Sequence, residues 1–133
     1  MWQIHRVSFD NDSELFLRSN GAAEALDLAK QQGEVRYVGF TEHKDPAIHL
    51  KMLATGFPLN AVQMPLNAFD ATFHSFETQV LPELNRRGIA ALRMKPFSGK
   101  GEQLQKGLLT PGFATSSLLG RERRLLTHVS QLF

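Results

Sequence analysis

The chain contains no cysteine. Disulfides, thiolate zinc sites and cysteine-ligated iron–sulfur clusters are therefore excluded within it, and a cytoplasmic location is the expectation that fits. It has one tryptophan, Trp2, and one tyrosine, Tyr37. No run approaches the roughly 18 apolar residues of a membrane helix. Met1-Trp2-Gln3-Ile4-His5 has neither the basic start nor the apolar segment of a signal peptide. Glycine-rich phosphate motifs of the GxGxxG and GxxxxGK[ST] kinds are missing, as is a GxSxG elbow, which removes sequence support for a Rossmann site, a P-loop or a serine hydrolase. His43 and His49 have no carboxylate at a spacing that completes a zinc pattern, so no metal is expected.

Charge is present but uneven. Residues 1–66 carry six Lys/Arg against eight Asp/Glu, and residues 67–133 carry nine against five. The basic half could attract a phosphate-bearing ligand, although solvated helix surface accounts for most of these groups. The cations are scattered and not interleaved with aromatics, so nucleic acid is not an expected partner; a membrane is not expected either.

What is there is a beat. Short apolar runs begin near Trp2, Val35, Ala61 and Ile89, and an amphipathic helical stretch fills each of the three intervals. Strands separated by about 25 to 35 residues of helical connection read as βα units of a parallel sheet. The strands are expected at Trp2–Val7, Val35–Thr41, Ala61–Leu66 and Ile89–Pro96. Asn20-Gly21 opens the first helix, with Ala22, Ala25, Leu26 and Ala29 on one face and Gly33 ending it. Asp45-Pro46 reads as cap and first helical residue of the second. Its turns carry Ala47, Leu50, Lys51 and Ala54, with Ile48 and Met52 on a neighbouring face. The third runs from about Phe73 to Arg87 with Phe76, Val80, Leu81 and Leu84 as its stripe. Pro82 either kinks it or marks a break after Leu81. Residues 101–133 are expected to form an irregular or helical tail within a single domain spanning 1–133, and the sequence suggests no fifth strand.

A chain of 133 residues is too short for a full eight-stranded barrel, which takes about 250. Four units make a half barrel or a small open sheet. A half barrel leaves two unpaired edges, so self-association or poor solubility is expected.

Ligands of parallel α/β folds meet the carboxyl ends of strands. His5, near the end of the first strand, could orient or polarise a carbonyl there, or could be a satisfied core group. Thr41, Glu42 and His43 follow the second strand and could bind an amide or ribose, or merely cap the next turn. Gln63 is an amide among Val62, Met64 and Leu66 that needs partners if buried. Asn67 adds another just beyond. On the fourth strand Arg93 and Lys95 share a face, opposite Leu92 and Met94, and could meet a phosphate.

Four linked pieces, WQIH at 2–5, GEVRYVGFTEHKD at 33–45, AVQMPLNAFD at 61–70 and GIAALRMKPFSG at 88–99, make the chain resemble the aldo-keto reductase family. Over about residues 1–100, their order and spacing are similar to the fourth to seventh βα units of that family's barrel. The resemblance implies a partial (half) TIM-type (β/α) barrel, an α/β fold with four parallel strands and connecting helices. It also implies reduction of aldehydes or ketones, small carbonyl compounds, by hydride from NADP or NAD cofactors in reduced form, without metal. His5 would be the catalytic histidine that orients the carbonyl. Thr41, Glu42 and Gln63 would hold the nicotinamide amide, with Met94 where the family stacks an aromatic. Glu42 stands where the family pattern has asparagine, and a carboxylate offers only acceptors. The family's catalytic tyrosine, lysine and aspartate belong to upstream units, and Tyr37 does not match that tyrosine. The expectation is therefore a fragment that is inactive alone, or a non-catalytic structural or interaction module derived from such a barrel.

Overall fold

The structure is a computed structural model and describes residues 1–67, 70, 73–97, 99, 106 and 107. The expectations for the tail over 101–133, apart from residues 106 and 107, lie outside the described residues. Strands β1 (Trp2–His5), β2 (Val38–Thr41), β3 (Ala61–Pro65) and β4 (Ala90–Met94) form one sheet in the order β1-β2-β3-β4. Every neighbouring pair is parallel. Helices α1 (Asp12–Leu17) and α2 (Ala22–Gln31) join β1 to β2, α3 (Pro46–Ala54) joins β2 to β3, and α4 (Phe76–Gln79) and α5 (Leu81–Arg87) join β3 to β4. This is the βα alternation read from the sequence, and it forms part of a TIM-type barrel.

Side chains alternate across a strand. Val38, Phe40, Val62 and Met64 face the helices and are fully buried with Leu26, Met52, Leu53, Phe76, Val80 and Leu84 close by in one core. Burying each such side chain contributes about 1.5–3 kcal/mol. At the amino end of the sheet Asn60 ties the strands together. Its Oδ1 accepts from Val38 N at 3.1 Å, its N–H donates to Val38 O at 2.9 Å, and its O accepts from Ala90 N at 2.9 Å. Gly39 is required by space rather than by conformation, because a Cβ there would lie 2.3 Å from Ala61 O.

Helix boundaries follow local chemistry. Asp45 caps α3, its Oδ1 accepting from Ala47 N at 2.9 Å with Pro46 in the first turn. Gly88 ends α5 at φ 67°, the left-handed conformation that glycine adopts without strain. Of the two readings of Pro82, the break is observed. Ser75 caps α4, Val80 separates the two helices, and Pro82 lies in the first turn of α5, where its missing donor costs nothing.

Three expectations about faces and lengths are corrected. The strands are shorter than the apolar runs, because residues such as Val7 and Val35 are buried in loops beyond the ladder. In α2 the buried positions are Ala23, Leu26 and Ala29, while Ala25 is exposed. Small residues all around that helix left its orientation to the packing. In α3, Ile48, His49, Met52 and Leu53 face inward and Ala47, Lys51 and Ala54 outward. Helix α1 was not expected. Asp12 accepts from Ser8 N and Phe9 N at 2.6 and 2.8 Å, and Phe16 packs edge-on against Phe57 at 4.9 Å. A six-residue helix is set by such tertiary anchors and not by periodicity.

Candidate functional site at the carboxyl ends of the strands

Parallel register brings chemistry-bearing residues into one row. His5 pairs with Thr41, Thr41 with Gln63, and Gln63 with Leu92. Paired residues of neighbouring strands project from the same side of the pleat. This side is opposite to Phe40 and Val62, so the row lies on the face turned away from the helices, at the carboxyl end. His5 Nδ1 and Thr41 Oγ1 are 2.8 Å apart, a hydrogen bond joining β1 to β2. Thr41 is buried, Gln63 half-buried and His5 exposed. Met94, paired with Pro65, is one pleat further along on this face and half-buried.

The bond specifies the imidazole. When the Thr41 hydroxyl donates to Nδ1, the ring hydrogen is on Nε2, which then donates; the reverse arrangement makes Nε2 an acceptor. A hydroxyl that donates to Nδ1 retains its oxygen lone pairs for a further donor.

Glu42 does not join this row. It is fully buried, and its carboxylate turns toward α3. Oε1 accepts from Lys44 N at 2.5 Å and Oε2 from Asp45 N at 3.0 Å, while His49 Nδ1 lies 3.6 Å from Oε2. Burial pushes the carboxyl up, but His49 and the backbone N–H groups of Asp45, His43 and Lys44 outweigh it. The group is held below the ordinary carboxylate range. His49 is itself fully buried, between Phe40 and Phe76 at 5.0 Å from each ring centroid. Sequence spacing marks His49 only as a weak metal candidate, and its helical position carries no sign of the Glu42 contact.

The other candidates are dispersed. Arg93 pairs with Met64, so it projects from the helix side, and its Nε donates to Leu66 O at 2.8 Å. Lys95 follows the strand at φ 52°, where the alternation has stopped. The two cations do not form the shared face expected of them. Asn67 is buried and engages Asp70, donating from Nδ2 to Oδ2 at 2.5 Å and accepting from Asp70 N at 3.1 Å. Gln3 shares the face of His5 one pleat earlier, with a buried Nε2 that has no hydrogen-bond partner among the described residues. Tyr37 lies at the amino end of β2, where its O accepts from Trp2 N, far along the strand from His5. Among the described residues no His/Cys/Asp/Glu group could hold a metal, and no helix is long and apolar enough to cross a membrane.

A parallel α/β sheet with helices on one face, its carboxyl rim carrying a histidine–hydroxyl–amide row, is a portion of a (β/α) barrel. The model of the Aldo/keto reductase family matches residues 1–112, and the chain belongs to that family. Its function is thereby related to oxidoreductase chemistry. Comparisons with curated proteins and with solved structures return no match.

Proposed function

We propose that this chain supplies one side of a carbonyl-reducing site. His5 orients the substrate carbonyl, and Thr41 and Gln63 hold the nicotinamide amide of NADPH or NADH. The observation that carries the reading is the His5–Thr41 hydrogen bond with Gln63 next in register. A carbonyl oxygen only accepts, so the productive form of His5 has its hydrogen on Nε2 and the Thr41 hydroxyl donating to Nδ1.

The residues fit a carboxamide through two of the three polar groups first assigned to it. Gln63 has both a donor and an acceptor, and Thr41 keeps acceptor capacity after serving His5. Glu42 does not fit, because its carboxylate is spent on Lys44, Asp45 and His49. Met94 supports a ring through a polarizable thioether, with less directional preference than an aromatic. The dinucleotide, when bound, supplies the hydride.

The described rim holds no tyrosine to give the carbonyl oxygen its proton, since Tyr37 occupies the other end of β2. The 133-residue chain is therefore proposed to be inactive alone. β1 and β4 are the edges of the described sheet, which supports self-association or docking on a completing surface.

Incubating the chain with NADPH and a reactive aldehyde, and following cofactor absorbance, is expected to show no turnover above a His5→Ala control. His5-dependent turnover would overturn the inactivity. Calorimetry is expected to detect NADPH binding that Gln63→Leu abolishes. Absence of heat at high protein concentration would favour a non-catalytic interaction module instead.

A further inference from the structure

Glu42 is adjacent to Thr41 in the chain and points to the other side of the sheet, into the space between β2 and α3. A fully buried carboxylate is costly unless it is paired and hydrogen-bonded. Here it accepts from Lys44 N and Asp45 N, and His49 Nδ1 faces it at 3.6 Å. His49 cannot easily retreat, because the rings of Phe40 and Phe76 enclose it. Among the described residues neither nitrogen of His49 has a hydrogen-bond partner, and Nδ1 faces Glu42 Oε2 at 3.6 Å.

The group is not needed as a helix cap. Asp45 already performs that task for α3 through Ala47 N. What the Glu42 carboxylate does hold is the Lys44–Asp45 turn just beyond β2, and the backbone it hangs from is anchored separately. The backbone N–H of Glu42 donates to Gln63 O at 3.2 Å, and Thr41 O accepts from Val7 N at 3.1 Å, so the peptide joining Thr41 to Glu42 is tied to β3 and to the segment just after β1. Rotation of this segment would move the Thr41 hydroxyl and the Glu42 carboxylate together, in opposite directions across the pleat.

We infer that Glu42 is a positioning residue: its carboxylate, fastened to the turn at Lys44–Asp45 and opposed by His49, keeps the Thr41 hydroxyl on His5 Nδ1. The importance of that geometry for chemistry rests on the function proposed above, but the geometry itself does not.

The test reads the side-chain nitrogen resonances of His5 by NMR in the full chain without cofactor. Thr41→Val defines the signature of a lost bond. Glu42→Gln, which keeps the shape and removes the charge, is expected to move the His5 Nδ1 resonance toward the Thr41→Val value. His49→Phe is expected to move it in the same direction, and carries the test if Glu42→Gln does not fold. Leu53→Ala, buried in α3 away from the row, controls for destabilisation alone and should leave His5 at its wild-type position. Coincidence of the Glu42→Gln or His49→Phe resonances with those of Leu53→Ala overturns the inference. NADPH calorimetry on the wild-type chain separates the two claims: a chain that binds no cofactor sinks the proposed function and leaves the His5 measurement standing.

Discussion

On one face of the sheet Val38, Phe40, Val62 and Met64 are sealed under the helices; on the other, Gln63, Leu92 and Met94 are half-buried and His5 is exposed. The same strands build both faces, and alternate residues are assigned to each. The sealed face has apolar side chains that need only volume and exclusion of water. The open face has a histidine, a hydroxyl and an amide whose value lies in mutual register. Under the proposed function, stability and chemistry are separated by a single step along the backbone, and Glu42 and Arg93 are polar groups that cross to the sealed side.

The largest effect that would sharpen this contrast comes from the core. Phe40→Ala removes a fully buried ring between the sheet and α3 and is expected to cost about 3–5 kcal/mol, read from urea unfolding. A loss below that of an ordinary surface substitution would show that the helix layer is not packed as described.

Acid provides the second comparison. The Glu42 carboxyl is held low in the folded chain by His49 and backbone N–H groups acting against burial, while an unfolded glutamate titrates near about 4.3. Its contribution is therefore present above that value and lost as pH falls through the lower folded one. Glu83 is also drawn down, to about 2, by hydrogen bonds from Arg86 and Arg87. It lies partly exposed on the outer surface of α5, so screening leaves it little weight. Between pH 7 and pH 3 the urea midpoint of Glu42→Gln should fall less than that of wild type, whereas Glu83→Gln should follow wild type closely. Identical slopes for wild type and Glu42→Gln would break the distinction between buried and surface carboxylates.

The smallest expected change in stability is on the open face. Gln63→Leu should leave the unfolding midpoint within about 0.5 kcal/mol of wild type, although it is the substitution expected to remove cofactor binding. A large destabilisation would mean that Gln63 belongs to the core and not to the rim.

Much of this was legible from residue order. The four apolar runs gave four parallel strands, Asp45-Pro46 gave the start of α3, and Gly88 gave the end of α5. The strand-end rule selected His5, Thr41 and Gln63, which register does bring together. The rule was less informative where alternation sends a residue away from the rim, as with Glu42 and Arg93. Composition also gave no guide to which side of α2 or α3 would be buried, since small and apolar residues occur around both helices.

Local spacing and chain punctuation determined the order, type and direction of the elements, because a hydrophobic period of two or of 3.6 residues and a capping side chain act over a few residues only. Tertiary structure alone decided that His5 meets Thr41, that Glu42 turns inward to His49, and that Arg93 faces the helices. Those outcomes depend on register between strands distant in sequence, where a shift of one residue exchanges the two faces of the sheet.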